Sequence, residues 1–131
     1  MKLTIESIQQ INLFEQITGA QVKDRIQKDN FLIFIIEEGN IQKALRGLKK
    51  VEDTLKKEIH LIGYSPDVQK FILNLIYPEK PDAVRQEGKI IFIESKDSKV
   101  KGRIFGRSRE RLLWINELVK KYFDIEEVKI I

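Results

Sequence analysis

The sequence predicts a mixed α+β protein built from two small units in tandem. Two continuous apolar, β-branched runs, at residues 31–36 and 90–93, are typical of buried strands. Apolar residues at helical intervals follow each run, and a further strand closes each half. A chain of 131 residues, of which 42% are hydrophobic, has room for one domain or two very small ones.

The first half begins with an amphipathic helix. Apolar residues recur at helical intervals over residues 5–17, and Gly19 is a typical C-terminal stop. The remaining elements follow in order: a strand over residues 22–26, a turn at Asp29-Asn30, the buried strand over residues 31–36, a helical segment over residues 41–57 that is interrupted near Gly47, and a strand over residues 59–62.

A further helix ends before Pro78. Ser65 is expected to cap it, because serine accepts hydrogen bonds from free amides. From Pro81 the second half repeats the order of the first. Its later elements are a strand from Ala83, a turn over residues 86–89, a strand over residues 90–93, a basic glycine-containing stretch, a helix with its apolar face over residues 112–123, and a strand over residues 128–131. Each half therefore reads β–β–α–α–β, with an extra helix before the first strand pair. This repeat predicts two duplicated domains, residues 1–77 and 78–131, that pack together.

Positive charge is concentrated in one short segment of the second half. Residues 96–111 hold seven basic and two acidic residues, so their charge is 7 − 2 = +5, against +4 for the whole chain. Residues 1–64 are nearly neutral, with 10 basic and 9 acidic residues. A patch of this kind attracts polyanions, which predicts a nucleic-acid partner.

Composition excludes several kinds of chemistry. The chain has no cysteine and a single histidine, His60, which excludes disulfides and thiolate nucleophiles and argues against a zinc site. His60 lies in a predicted strand and Trp114 borders the apolar face of a helix, so we interpret both as structural. The sequence contains no Walker loop, dinucleotide fingerprint or carboxylate cluster suited to a hydrolase or nuclease. We therefore expect no enzymatic activity, cofactor or metal.

The sequence also bears on localisation. No apolar run approaches the roughly 20 residues that cross a bilayer. The N-terminal residues lack the apolar core of a signal peptide. We therefore expect a soluble, cytoplasmic protein with no membrane partner.

The basic stretch at residues 102–109 is the strongest candidate binding site. Its two glycines allow the backbone to approach a ligand closely. Ser108 can cap the following helix, whose N-terminal amides attract a phosphate, and the arginines supply the counter-charge. The alternative interpretation is a glycine-broken helix junction with a solvated basic face.

These features resemble the tandem type II KH domains of NusA proteins, and in particular the short archaeal NusA-like proteins. Four segments carry the resemblance: residues 13–20 with 22–24, the strand that runs into Glu37-Glu38-Gly39, the linker at residues 77–80, and residues 120–125 with the final strand. The Phe-Glu-x-x-Thr-Gly-Ala segment at residues 14–20 is the most distinctive. The resemblance implies two KH domains of the order α–β–β–α–α–β.

The Gly-x-x-Gly loop of a KH domain clamps about four backbone nucleotides. The resemblance therefore implies single-stranded RNA binding linked to transcription termination or antitermination, with RNA polymerase or other transcription machinery as a further partner. The RNA-binding residues that it implies are Lys101, Arg103, Gly106, Arg107, Ser108, Arg109 and Arg111, with Arg46, Lys49 and Lys50 as a weaker extension.

The sequence departs from the KH pattern at both loops. In the second unit, Gly106 is kept but Arg109 replaces the second glycine. In the first unit, residues 44–50 contain no Gly-x-x-Gly. We expect the first unit to lack the usual clamp and the second to bind through charge, with Arg109 pairing with a phosphate.

A second hypothesis is a protein-interaction module whose degenerate KH folds dock onto transcription or ribosomal machinery. The basic stretch discriminates between the two hypotheses. An interaction module has no need to concentrate a charge of +5 beside a glycine loop, whereas an RNA-binding protein does.

Overall fold

The computed structural model describes residues 4–131. The first three residues lie outside this range. They belong to the N-terminal segment in which the sequence predicts no signal peptide. The chain divides into two compact units, Met1–Ser65 and Pro66–Ile131. Over the described residues, every helix is too short or too polar to span a membrane.

Within its described residues, the first unit consists of two helices that pack on a three-stranded sheet. Its elements in chain order are α1 (Ile5–Thr18), β1 (Val22–Gln27), β2 (Phe31–Ile36), α2 (Ile41–Leu55) and β3 (Glu58–Gly63). The central strand, β2, is antiparallel to β1 and parallel to β3. These bounds confirm the predicted leading helix and the three predicted strands of this half.

The core of the first unit lies between its helices and one face of the sheet. Phe14 of α1 stacks on Phe34 of β2, with ring centroids 4.4 Å apart. Ala44 and Val51 of α2 complete the same apolar cluster. Residues 32–36 are all buried, although side chains alternate between the two faces of a strand. This confirms the prediction that these residues form a buried strand.

Helix α2 is continuous, so the predicted interruption near Gly47 is wrong. A Cβ atom at Gly47 would lie 2.8 Å from Cγ2 of Thr18, the last residue of α1. The missing side chain of this glycine therefore allows α2 to lie close to α1, and the glycine does not break the helix. The first unit has the order α–β–β–α–β.

The second unit has the full α–β–β–α–α–β order that the sequence predicts. Its elements are α3 (Val68–Ile76), β4 (Ala83–Glu87), β5 (Ile90–Glu94), α4 (Ser98–Phe105), α5 (Glu110–Tyr122) and β6 (Glu127–Ile130). In its sheet, β5 is central, antiparallel to β4 and parallel to β6. The predicted turn over residues 86–89 is shorter than expected, since β4 extends to Glu87.

Helix α3 belongs to the second unit. The ring of Phe71, which is fully buried, lies 5.8 Å from that of Tyr122 and 5.6 Å from that of Phe123. The boundary between the units therefore precedes α3, whereas the predicted domain boundary follows it. The prediction that Ser65 caps α3 is wrong. Ser65 is buried and lies two residues before the N-cap residue, Asp67, whose carboxylate accepts the cap hydrogen bond from the amide of Gln69 at 3.0 Å.

Candidate nucleic-acid interface

The basic segment of the second unit folds as two helices joined by a tight turn, which confirms the predicted break between helices. Asp97 caps α4, since its carboxylate accepts a hydrogen bond from the amide of Lys99 at 2.8 Å. The helix ends at Gly106, and residues Arg107–Arg109 form a single 3₁₀ turn before α5 begins. The turn brings the most basic part of the chain to the surface.

The two glycines of this segment differ in what surrounds them. Gly106 has a φ of +73°, and a Cβ atom there would lie 2.6 Å from Cβ of Arg111. The fold therefore requires glycine at this position. Gly102 is exposed within α4, and a Cβ atom there would meet nothing within 4 Å.

Ser108 and Arg109 both adopt the left-handed conformation. Their φ and ψ angles are 54° and 31° for Ser108, and 62° and 16° for Arg109. A left-handed residue with a side chain costs roughly 1–2 kcal/mol. Arg109 thus stands in a conformation that favours glycine, at the position where the KH pattern has its second glycine.

The prediction that Ser108 caps α5 is wrong. The N-cap residue is Arg109, and its side chain forms no capping hydrogen bond. Ser108 lies one residue too early and is exposed, because the 3₁₀ turn inserts Arg109 between it and the helix.

The Arg111 side chain forms hydrogen bonds with the C-terminal ends of α3 and α4. Its guanidinium donates hydrogen bonds to the carbonyl of Arg103 at 3.1 Å and to that of Leu75 at 3.3 Å. Burial lowers the pKa of Arg111, and the attraction of Glu79 partly opposes this shift. The side chain is therefore engaged within the fold.

Arg103 is also paired. Its Nε donates a hydrogen bond to Oε1 of Glu79 at 2.7 Å, and the Glu79 side chain is only 12% exposed. The ion pair joins α4 to the segment that follows α3. Arg103 and Arg111 therefore differ from the other predicted site residues in having partners of their own.

In the second unit, three basic side chains of the predicted set keep their charge uncompensated. Among the described residues, Lys101, Arg107 and Arg109 form no ion pair with an acid. The guanidinium of Arg109 lies 5.5 Å from the ring centroid of Phe105. We call Lys101 together with Gly106-Arg107-Ser108-Arg109 the cationic loop.

The predicted residues of the first unit lie on α2 and not on a loop. Arg46, Lys49 and Lys50 are exposed on this helix. Lys43 is exposed on the same helix.

The remaining candidates have local packing roles. His60 stacks on Phe31 with ring centroids 4.3 Å apart, and its Nε2 lies 3.3 Å from Glu58. Trp114 is half-buried on α5. Within residues 4–131, no group of three or more His, Cys, Asp or Glu side chains is arranged to hold a metal ion.

Comparison with known proteins identifies archaeal relatives. No family model matches the sequence. The chain is 30% identical, over its whole length and 75% of the relative, to the probable transcription termination protein NusA of Methanocaldococcus jannaschii. It is 39% identical over 82 residues to the protein of the same name from Methanococcus vannielii, a match that spans 60% of this chain and 47% of that relative.

A solved structure is similar over nearly the whole chain. The crystal structure of APE1850 superposes with a TM-score of 0.76 and 27% sequence identity, over 98% of this chain and 100% of that one. The fold, which consists of two small α+β units in tandem, is therefore shared with an experimental structure.

Proposed function

Because this chain belongs to the family of archaeal proteins described as probable transcription termination protein NusA, we propose that it binds single-stranded RNA and acts in transcription termination or antitermination. The cationic loop of the second unit is the proposed RNA contact. On this proposal the protein is not an enzyme and needs no cofactor. Its partners are RNA and the transcription machinery, and it acts in the cytoplasm.

The observation that carries the proposal is the conformation of the cationic loop. Ser108 and Arg109 are consecutive, exposed and left-handed. Backbone strain of this kind persists only where the surrounding structure fixes it, and it is concentrated at functional sites. Here it holds two arginines and a hydroxyl on an exposed turn.

The uncompensated charges of the loop suit a phosphate backbone. Arg107 and Arg109 are exposed on either side of Ser108. A guanidinium forms charge-assisted hydrogen bonds with phosphate oxygens, often two at a time. In this proposal the Arg109 side chain replaces the backbone contact that a second glycine would allow. Arg103 and Arg111 support the loop from within the fold.

The proposal is tested by titrating labelled single-stranded RNA, and separately duplex DNA, at several salt concentrations. We expect the wild type to prefer RNA. The Arg107→Ala/Arg109→Ala variant should bind more weakly and with a shallower salt dependence, by about 0.7 in slope for each lost phosphate contact. An Arg109→Gly variant relieves the left-handed strain and should fold more stably, yet it should still bind more weakly.

The matched control is Lys120→Ala/Lys129→Ala, which removes the same charge from exposed positions on α5 and β6. It should bind RNA as the wild type does. If the wild type binds RNA no better than duplex DNA, or if the loop variant and the control behave alike, the loop assignment fails. The protein-interaction module then becomes the better hypothesis.

A further inference from the structure

Tyr77 is the one exposed residue among the phenylalanines, tyrosines and tryptophan of the described chain. It is 75% exposed, whereas the others are buried or half-buried. The residue follows α3 directly and belongs to the second unit. Single exposed apolar residues are common on protein surfaces, so exposure alone does not indicate a site. Whether Tyr77 forms part of one depends on its surroundings.

The side chain of Tyr77 has no packing role in the fold. Within residues 4–131, its ring has no aromatic or cationic partner and its hydroxyl forms no hydrogen bond. By contrast, Phe71 contacts two other rings, and the ring centroid of Phe105 lies 5.5 Å from the guanidinium of Arg109. The aromatic face of Tyr77 is therefore available to a ligand.

The backbone of Tyr77, however, is held on both sides. Nη2 of Arg111 donates hydrogen bonds to the carbonyl of Leu75 at 3.3 Å and to that of Tyr77 at 3.5 Å. Two residues after Tyr77, the carboxylate of Glu79 accepts a hydrogen bond from Nε of Arg103 at 2.7 Å. These contacts tie the segment to α4 and α5, the two helices that flank the cationic loop.

A single arginine side chain separates the backbone of Tyr77 from the cationic loop. A Cβ atom at Gly106 would lie 2.6 Å from Cβ of Arg111, so the base of the Arg111 side chain lies against the start of the loop. The other end of the same side chain reaches the carbonyl of Tyr77. Tyr77 therefore lies beside the cationic loop.

Building on the proposed function, we infer that Tyr77 stacks on an unpaired base of the RNA whose phosphates contact the cationic loop. Proteins that bind single strands combine a positive surface, which follows the backbone, with aromatic side chains on which bases stack. The loop supplies the charge and Tyr77 supplies the aromatic face. Bases within a duplex are stacked on one another, so this contact selects single strands.

A protein partner is the alternative ligand for an exposed tyrosine. Such an interface places its aromatic residues in a well-packed apolar centre, with charged residues depleted there. The groups that surround the backbone of Tyr77 are instead Arg103, Arg111 and the cationic loop. A nucleotide joins a flat π face to a negatively charged phosphate, and Tyr77 with the loop complements both parts.

The test compares two substitutions of Tyr77 in the full chain. Tyr77→Phe keeps the aromatic face, whereas Tyr77→Leu keeps an apolar side chain without it. The control, Leu73→Ala, shortens another exposed apolar residue of α3. Each protein is titrated at low salt with a labelled single-stranded RNA and with an abasic RNA of the same length, which has the phosphates without the bases. Thermal melts check that each variant is folded.

We expect Tyr77→Leu to bind the intact RNA roughly 5- to 150-fold more weakly than the wild type, as the loss of one base–aromatic stack predicts. Tyr77→Phe and Leu73→Ala should bind it as the wild type does. All four proteins should bind the abasic RNA alike, because it offers no base to stack. The salt slope of Tyr77→Leu should equal that of the wild type, because no phosphate contact is lost.

Equal binding of the intact RNA by Tyr77→Leu and the wild type would overturn the inference and leave the ring to a protein partner. An equal loss of binding to the intact and the abasic RNA would also overturn it, because the ring would then contact the backbone. The proposed function is decided separately. It depends on RNA binding by the wild type and on the Arg107→Ala/Arg109→Ala variant, whose salt slope should become shallower.

Discussion

Gly47, Gly102 and Gly106 are surrounded in three different ways. Gly106 has a left-handed backbone, and a side chain there would strike Arg111. Gly47 has an ordinary helical backbone, but a Cβ atom would lie 2.8 Å from Cγ2 of Thr18. At Gly102 a Cβ atom would meet nothing within 4 Å. Only the first two positions are required by the fold.

Gly47→Ala tests this distinction on the stability of the first unit. Thr18 cannot turn away easily, because its hydroxyl donates to the carbonyl of Phe14 at 2.8 Å and accepts from the amide of Ala20 at 3.0 Å. Overpacking typically costs about 1–3 kcal/mol, and alanine recovers about 1 kcal/mol in helix propensity. We expect the free energy of unfolding, measured in urea, to fall by about 1 kcal/mol.

Gly102→Ala is the control for this experiment, because it brings the same gain in helix propensity without a clash. Its free energy of unfolding should rise by about 0.5–1 kcal/mol. Opposite signs for the two substitutions support the close approach of α1 and α2. A stabilising Gly47→Ala would show that this contact is loose.

Three helices of the second unit meet at a single side chain. Arg111, in the first turn of α5, donates to the carbonyl of Arg103 in α4 and to that of Leu75 in α3. The carbonyls at the end of a helix have no partners within it, so a cation there satisfies them and opposes the dipole. This contact fixes where α4 ends and α5 begins, and hence the position of the cationic loop.

We expect Arg111→Met to lower the free energy of unfolding by about 2–3 kcal/mol, because hydrogen bonds from a charged group contribute roughly 1.5–3 kcal/mol each. Thermal and urea denaturation monitored by circular dichroism would measure the loss. Arg107→Met is the matched control, since Arg107 is exposed and has no side-chain partner among the described residues. A loss for Arg111→Met no larger than that of the control would contradict the role given to this residue.

Hydrophobic periodicity predicted the elements well because each of them buries one face or both. The run at residues 31–36 and the spacing before Gly19 correspond to β2 and α1. Periodicity could not predict the continuity of α2, since the role of Gly47 depends on Thr18, which lies far from it in sequence. A glycine in a helix looks the same whether it breaks the helix or allows a neighbour to approach.

The residue composition of the candidate site was predictable from the sequence, but the partners of its side chains were not. The concentration of charge at residues 96–111 is visible in the sequence, and the structure presents Arg107 and Arg109 at the surface. The sequence does not show that Glu79 pairs with Arg103, because tertiary contacts select that partner. Nor does it show that Arg109 separates Ser108 from α5, so that Ser108 lies too early in the chain to cap this helix.

At the scale of the whole molecule, the two compact units repeat one arrangement with unequal parts. Both have a leading helix and a three-stranded sheet with the same strand order and directions. The second has a helix pair where the first has the single helix α2. The proposed RNA contact lies at this difference, on the loop between the two helices of the second unit.

The position of α3 decides where the second domain begins, and we propose that it begins at Pro66. Phe71 packs against the rings of Tyr122 and Phe123, and Leu75 provides a carbonyl for Arg111. A fragment of residues 66–131 keeps these contacts, whereas one of residues 78–131 loses them and exposes the rings of Tyr122 and Phe123 that Phe71 contacts. We expect cooperative thermal unfolding from the longer fragment and none from the shorter.

Comparing these two fragments is informative because units of this size are marginal in stability. The loss of one packed helix is therefore expected to prevent cooperative folding. Circular dichroism melts and proton chemical-shift dispersion of both fragments would measure it. A variant of the longer fragment with Phe71→Ala should approach the behaviour of the shorter one, since the loss of a buried phenylalanine costs about 3–5 kcal/mol. If residues 78–131 fold as well as residues 66–131, α3 is not part of the second domain, and a boundary after Tyr77 is the better division.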